Sequence, residues 1–349
     1  MKRSTTIILS IFLSGIVCIA QERDSTSLGQ VVQSILEKKQ LKINGLIQLW
    51  NYYQAKGGSS GDGRYYNAFR IRRFELKVSG NVNEHVNYVG MVDFARAISS
   101  TSESGRINVI QDAFIELSYF HAARITVGQF LYPLTYEGLL PSSKLDFVER
   151  AEITRVIGNQ RDIGVQVSGT ISSVDYAISV LNGDSQNKID PNREKDFAGR
   201  VVVNPLKEFS FGASGYVGRQ GTEGEIPYHR AVVEAVVQSS SIKIFGEGMW
   251  LRESDVPPLR DMGGFYLASV YSIGSELQVD ARYEFANEHL EQAKDVPHHR
   301  ATLGVNYFLG DQRSAKVQFN YILTKNSDTY LQAPDLWNNY FYINLQVIF

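Results

Sequence analysis

The connections between strands constrain this chain more than the strands themselves do. From Leu41 onward the sequence reads as sixteen stretches of β-character: 41–53, 66–80, 84–95, 107–119, 122–130, 159–171, 173–182, 193–205, 209–220, 227–239, 241–252, 261–271, 275–287, 297–309, 313–325 and 338–349. Each is near the ten or so residues that a tilted strand needs to cross a bilayer. The links alternate strictly. Short ones fall at 81–83, 120–121, 172, 206–208, 240, 273–274 and 310–312. Between them come longer polar ones at 54–65, 96–106, 131–158, 183–192, 221–226, 253–260, 288–296 and 326–337. Short links at one end and long ones at the other are the profile of a transmembrane antiparallel β-barrel, with turns in the periplasm and loops outside. A soluble propeller or sandwich has no reason to alternate this way.

The last nine residues, FYINLQVIF, agree. Phe341, Ile343, Leu345, Val347 and Phe349 share one face, and Tyr342, Asn344 and Gln346 the other. That is period two, a strand with one apolar face. A closed barrel protects such a strand by pairing it with the first one. The terminal Phe349 is similar to the signal read by the barrel-assembly machinery of bacterial outer membranes.

The faces of other strands divide alike. Leu277, Val279, Ala281, Tyr283 and Phe285 oppose Gln278, Asp280, Arg282 and Glu284. About sixteen strands make a barrel too wide for wall side chains to fill, so the polar face is expected to line a wet lumen and the apolar face to meet outer-membrane lipid. Trp50, Tyr52, Tyr119, Phe120, Phe209, Trp250 and Trp337, near strand ends, are expected in the two interfacial girdles. One strand changes phase: Phe69 and Ile71 are apolar at odd positions, Phe74, Leu76 and Val78 at even ones. A bulge near Arg72-Arg73 restores the face and turns Arg70 and Arg72 inward.

The N-terminus has Lys2 and Arg3, an apolar run from Ile7 to Ile19, and the exit Cys18-Ile19-Ala20. This is the pattern of a signal peptide over 1–20. Cys18 is the sole cysteine, so cleavage after Ala20 leaves neither disulfide nor thiol chemistry. Within 21–40, Leu28, Val31, Val32, Ile35 and Leu36 recur at helical spacing and predict a short periplasmic helical segment. The barrel is expected over 41–349. Removing Lys2 and Arg3 from 35 basic residues leaves 33 against 37 acidic ones, which argues against nucleic acid as a partner.

Several stretches resemble the outer-membrane porins of the phosphate-selective O/P family. They are FRIRRFELKVSG at 69–80, Val92-Asp93-Phe94-Ala95, Asp112-Ala113-Phe114 and Val127-Gly128-Gln129-Phe130. Pro133-Leu134-Thr135-Tyr136-Glu137, Leu145-Asp146-Phe147-Val148-Glu149-Arg150 and the run from Arg161 to Gly169 follow. The resemblance implies a sixteen-stranded homotrimeric channel for small hydrophilic solutes, with anions such as phosphate among the candidates. Its third outer loop, 131–158 in this chain, folds into the lumen.

The candidate pore-lining and constriction residues are Arg70, Arg72, Arg73, Asp93, Asp112, Glu116, Arg124, Lys144, Arg150 and Arg155. Ten cationic residues expected inward on the strands face ten anionic ones, so weak selectivity is expected. Glu149-Arg150 and Arg161-Asp162 are expected to pin the loop to the wall. No cofactor is implied. No Gly-x-Ser-x-Gly element or metal-spaced histidine pair occurs, and His298 and His299, being adjacent, point to opposite faces. An enzyme is therefore not expected. The alternatives are a plugged structural or adhesive barrel and a lipid hydrolase at the rim.

Overall fold

The computed structural model of the protein describes residues 41–55, 66–99, 108–190, 193–220, 226–253, 260–290, 296–310, 313–326 and 336–349. The expected signal peptide and periplasmic helix lie outside the described residues. The strands are β1 Lys42–Ala55, β2 Tyr66–Asn83, β3 Val86–Asp93, β4 Ile110–Phe120, β5 Ala123–Leu131, β6 Arg161–Ile171, β7 Val174–Leu181 and β8 Asp196–Leu206. They continue as β9 Phe209–Gln220, β10 Ile226–Gln238, β11 Ile242–Glu253, β12 Arg260–Ile273, β13 Leu277–Leu290, β14 Val296–Leu309, β15 Ala315–Asn326 and β16 Leu336–Ile348. All pair antiparallel in chain order, and β16 closes on β1.

Closure depends on one small residue. The Gly45 amide donates to the Phe349 carbonyl at 2.6 Å, and the Phe349 amide donates back at 3.1 Å. The Phe349 ring lies over Gly45 so closely that a Cβ there would sit 2.2 Å from it. Only glycine leaves room for that ring.

The faces divide as period two requires. Leu303, Phe319, Ile343 and Leu345 are exposed, whereas Asn306, Gln318, Asn344 and Gln346 are buried. This inverts a soluble barrel, whose inner face is apolar. Strands β9–β12 depart from the expectation of a polar inner wall. Their inward side chains include Tyr216, Val232, Phe245, Met249 and Tyr266, all buried in one apolar cluster. The wall is dry there because something other than wall side chains fills the lumen.

The filler is the long third loop. It holds α1's counterparts: after α1 (Ala95–Ser99) in the preceding loop come α2 Tyr136–Leu139, a 3₁₀ turn at Ser142–Lys144, and α3 Glu152–Ile157. Thr135 caps α2 by accepting from the Gly138 amide at 3.2 Å. Leu134, Phe147, Ile153 and Ile157 from this loop complete the apolar cluster on β9–β12. Burying such side chains contributes roughly 1.5–3 kcal/mol each, which holds the loop inside.

Candidate functional site

Polar groups fix the loop where apolar packing does not. Glu247 on β11 accepts from the amides of Tyr136 (2.6 Å) and Glu137 (3.2 Å) and from the Tyr266 hydroxyl (2.6 Å). Glu137 accepts from the Ala151 amide at 2.7 Å and from Arg282 at 3.1 Å. Burial pushes the Glu137 carboxyl up, and the adjacent Arg282 opposes that rise. Glu284 accepts from the Glu152 amide at 2.6 Å. Along β15 and β16, Lys316 donates to the Leu145 carbonyl (2.6 Å), Gln318 to that of Asp146 (3.0 Å) and Gln346 to that of Ser143 (3.0 Å). Asn320 accepts from the Val148 amide at 2.8 Å. The irregular backbone of the loop thus finds its partners on the barrel wall.

The opposite side of the loop meets β2, where the phase change is. Gln48 of β1 pairs with Arg73, but the next residue, Leu49, pairs with Ile71, so Arg72 is the extra residue of a bulge. The bulge puts both Arg72 and Arg73 on Glu149: Arg72 reaches it at 2.5 Å and Arg73 at 3.0 Å. Burial would raise the Glu149 carboxyl, but Arg73 and Arg72 beside it hold it well below the usual carboxylate range. Arg70 and Arg72 each lie 5.2 Å from the Trp50 ring centroid. A second register shift, between Met91 and Val92, adds Gln111 to β4 at the same end of the barrel.

Among the cavities that border the loop, two are rich in basic residues. The one toward the long connections has a volume of about 280 Å³. Its lining includes Arg70, Arg72, Arg150, Arg155, Arg282 and Arg300 against two carboxylates, Glu149 and Glu152. Each carboxylate is shared by two guanidiniums, Glu149 by Arg72 and Arg73 and Glu152 by Arg155 and Arg300 at 3.1 Å each. Positive charge is left over. The cavity toward the short turns, about 500 Å³, is lined by Lys144, Lys243, Arg313 and Lys316 with Asp146 as the single carboxylate. The wall of β2–β7 is different: Glu75, Asp112, Glu116, Gln166, Ser168 and Asp175 point inward and stay partly exposed. The loop leaves this side of the lumen open to water.

The ten candidate residues therefore separate. Arg70, Arg72, Arg150 and Arg155 meet at the upper cavity. Arg73 is buried behind them, donating to Gln48 at 2.6 Å. Arg150 is turned into the loop, donating to the carbonyls of Glu137 (3.1 Å) and Leu140; burial, with Arg73 nearby, lowers it to about 10. Asp93 is buried too, accepting from the Phe74 (3.0 Å) and Ala95 (3.1 Å) amides, so it stops β3 and starts α1 rather than facing solute. Asp112 is paired with Arg161 at 2.7 Å. Glu116 and the exposed Arg124 lie nearer the short-turn end of the open wall, and Lys144 borders the lower cavity.

Glu149 does pin the loop to β2, whereas Arg161 braces β4 and Asp162 accepts from the Gly183 amide at 2.7 Å, outside the loop. Trp50 and Tyr52 are not girdle residues. Trp50 shares the inner face with Gln48 and is 5 % exposed, and Tyr52 lines the upper cavity. The girdle assignment used closeness to a strand end, whereas parity decides the face. Sequence reading also missed Arg300, Tyr340 and Tyr342 as cavity residues. Their inward parity was legible, but their convergence depends on where the loop stops.

Residues 43–225, over half of the chain, match the model of the phosphate-selective porins O and P. The chain belongs to that family. It is an outer-membrane porin, a channel for passive diffusion. Solved structures share the fold across 88 % of the porin's length. An anion-selective porin from Comamonas acidovorans has 12 % identity and a TM-score of 0.65, with 99 % of that chain covered. The outer-membrane channel DcaP of Acinetobacter baumannii has 14 % identity and a TM-score of 0.64, with 97 % covered. The trimer form of OmpT of Vibrio cholerae has 12 % identity and a TM-score of 0.58, with 99 % covered. No curated protein sequence matches the porin.

Proposed function

We propose that the porin is a water-filled, non-enzymatic channel with a modest preference for anions. The observation that carries this reading is the surplus of arginine at the upper cavity, where two carboxylates each serve two guanidiniums. An ion entering from the long-loop end meets that field first. Below it the wall carries matched pairs, Asp112 with Arg161 on the open side and, on β10 and β8, Glu234 with Arg200 at 2.5 Å. A surplus at one level with balance below favours anions without a tight inorganic phosphate site. The constriction residues in this reading are Arg70, Arg72, Arg155 and Arg300.

The chain is read as exported by a signal peptide cleaved after Ala20, followed by a short periplasmic segment and the barrel. Its exposed apolar band contacts lipid, and the assembly machinery recognises the β16 end. The trimer form of OmpT supports a homotrimer.

Reversal potentials across a KCl gradient in a planar bilayer, repeated with added phosphate, test the selectivity. The expected result is a weak anion preference that shrinks as salt rises, since exposed charges are screened within roughly 10 Å at 0.1 M. Cation selectivity, or block by micromolar phosphate, refutes it.

A further inference from the structure

The upper cavity holds more than positive charge. Tyr52 of β1 and Tyr342 of β16 are register partners, stacked with ring centroids 5.9 Å apart at 18°. Trp50 meets Tyr342 edge-on at 5.4 Å, and Tyr340 lines the same cavity. Register then fixes what flanks this aromatic strip. On one side β2 places Arg70 opposite Trp50, with Arg72 beside it. On the other, β15 and β14 intervene and Arg300 projects in, joined by Arg155 from α3. Guanidinium groups therefore stand at both edges of a surface of ring faces.

Trp50 itself is nearly buried, with Arg70 and Arg72 lying over it. It positions the two guanidiniums and leaves the tyrosines as the accessible rings. A bare inorganic anion uses only the edges of such a site. The rings add nothing for it, because an aromatic face is the negative side of a quadrupole. A ligand with one anionic group and one ring uses both, the ring against Tyr340 and Tyr342 and the anion on arginine. The volume, about 280 Å³, is at the low end for ligand pockets and suits a single ring.

We infer that the upper cavity is a subsite for ring-bearing organic anions, a phosphate or carboxylate carried on one six-membered ring. This deepens the anion preference proposed above and rests on it for the route of entry.

The test is block of KCl current through the full-length porin, titrated with phenyl phosphate, glucose 6-phosphate, inorganic phosphate and phenol. Both ring phosphates are expected to block at concentrations roughly two- to tenfold below inorganic phosphate, and phenol not to block. An advantage kept by only one of the ring phosphates supports the subsite and says whether its ring is aromatic or a sugar. Tyr342→Ala together with Tyr340→Ala should remove the ring advantage and leave inorganic phosphate unchanged. Tyr342→Phe, which keeps the ring, should retain it. Arg300→Gln should weaken all three phosphates. Heat-modifiable migration on gels marks each variant as folded, and block is scored against that variant's own KCl current. Equal block by inorganic and ring phosphates, or a ring advantage that survives loss of both tyrosines, overturns the inference. Reversal potentials read the anion preference separately, so a failure of that reading is visible on its own.

Discussion

Replacing Glu149 by Gln isolates one charge at the place where loop and β2 meet. The carboxylate bridges Arg72 and Arg73, and Gln keeps its shape while removing the charge. A monovalent ion passing about 7 Å away interacts with that charge by about 0.6 kcal/mol in water. At 0.1 M salt a screening length of about 10 Å halves this. Loss of the carboxylate then eases an anion and hinders a cation by about 0.3 kcal/mol each, a shift of about threefold in the permeability ratio. At 1 M salt, with screening over about 3 Å, the shift falls to about 1.2-fold. Reversal potentials of wild type and Glu149→Gln at both salts measure it. A ratio unchanged at 0.1 M, or an equal shift at 1 M, refutes a position of Glu149 beside the permeating ion.

Protonation removes the same charge, so pH gives a matching readout. Despite its burial, Arg73 and Arg72 hold this carboxyl far below the usual range. A carboxylate depressed in this way keeps its charge and its grip on the loop at every pH above its ordinary value. It loses them only as pH falls through its lowered value. Wild-type selectivity should therefore stay flat from neutral pH down to about pH 5.

Three further outcomes are expected. Cysteine at Ser60 should label on intact cells with an impermeant thiol reagent and cysteine at Lys207, in the β8–β9 turn, should not; the reverse pattern inverts the barrel. Gly45→Val drives a side chain into the Phe349 ring and should lower the yield of heat-modifiable barrel; an unchanged yield refutes the tight seam between β1 and β16. Glu247→Ala leaves the Tyr136 and Glu137 amides without their acceptor, at roughly 1–3 kcal/mol per group. The barrel should persist, while single-channel current noise and protease cleavage within the loop should both rise.

Most of the barrel was legible because period two and link length are local signals. Strand boundaries such as Phe209–Gln220 follow directly from them, and so does the bulge at Arg72, since a phase change has few other causes. The dry wall of β9–β12 was not anticipated. Its sign is present: AVVEAVV at 231–237 is apolar at both parities, which a strand wet on one face has no need of. Barrel width demands a wet interior only where wall side chains alone must fill it, and a folded loop removes that demand. The placement of Arg150 and Asp93 was illegible for another reason. Both side chains serve backbone groups, Arg150 within its own loop and Asp93 on β2 and at the start of α1, and a charge count cannot distinguish an arginine facing solute from one facing a carbonyl.

The one-sided seat of the loop divides this barrel into two materials. From β9 to β12, interior residues are packed on both sides like the core of a soluble protein. Substitutions there act on stability, and cross-talk between neighbours is the rule. From β2 to β7 the same barrel is a duct wall, where Glu116 and Arg124 face water and a change of their charge acts on traffic. The width of the passage is set by the thickness of a loop, not by the number of strands around it.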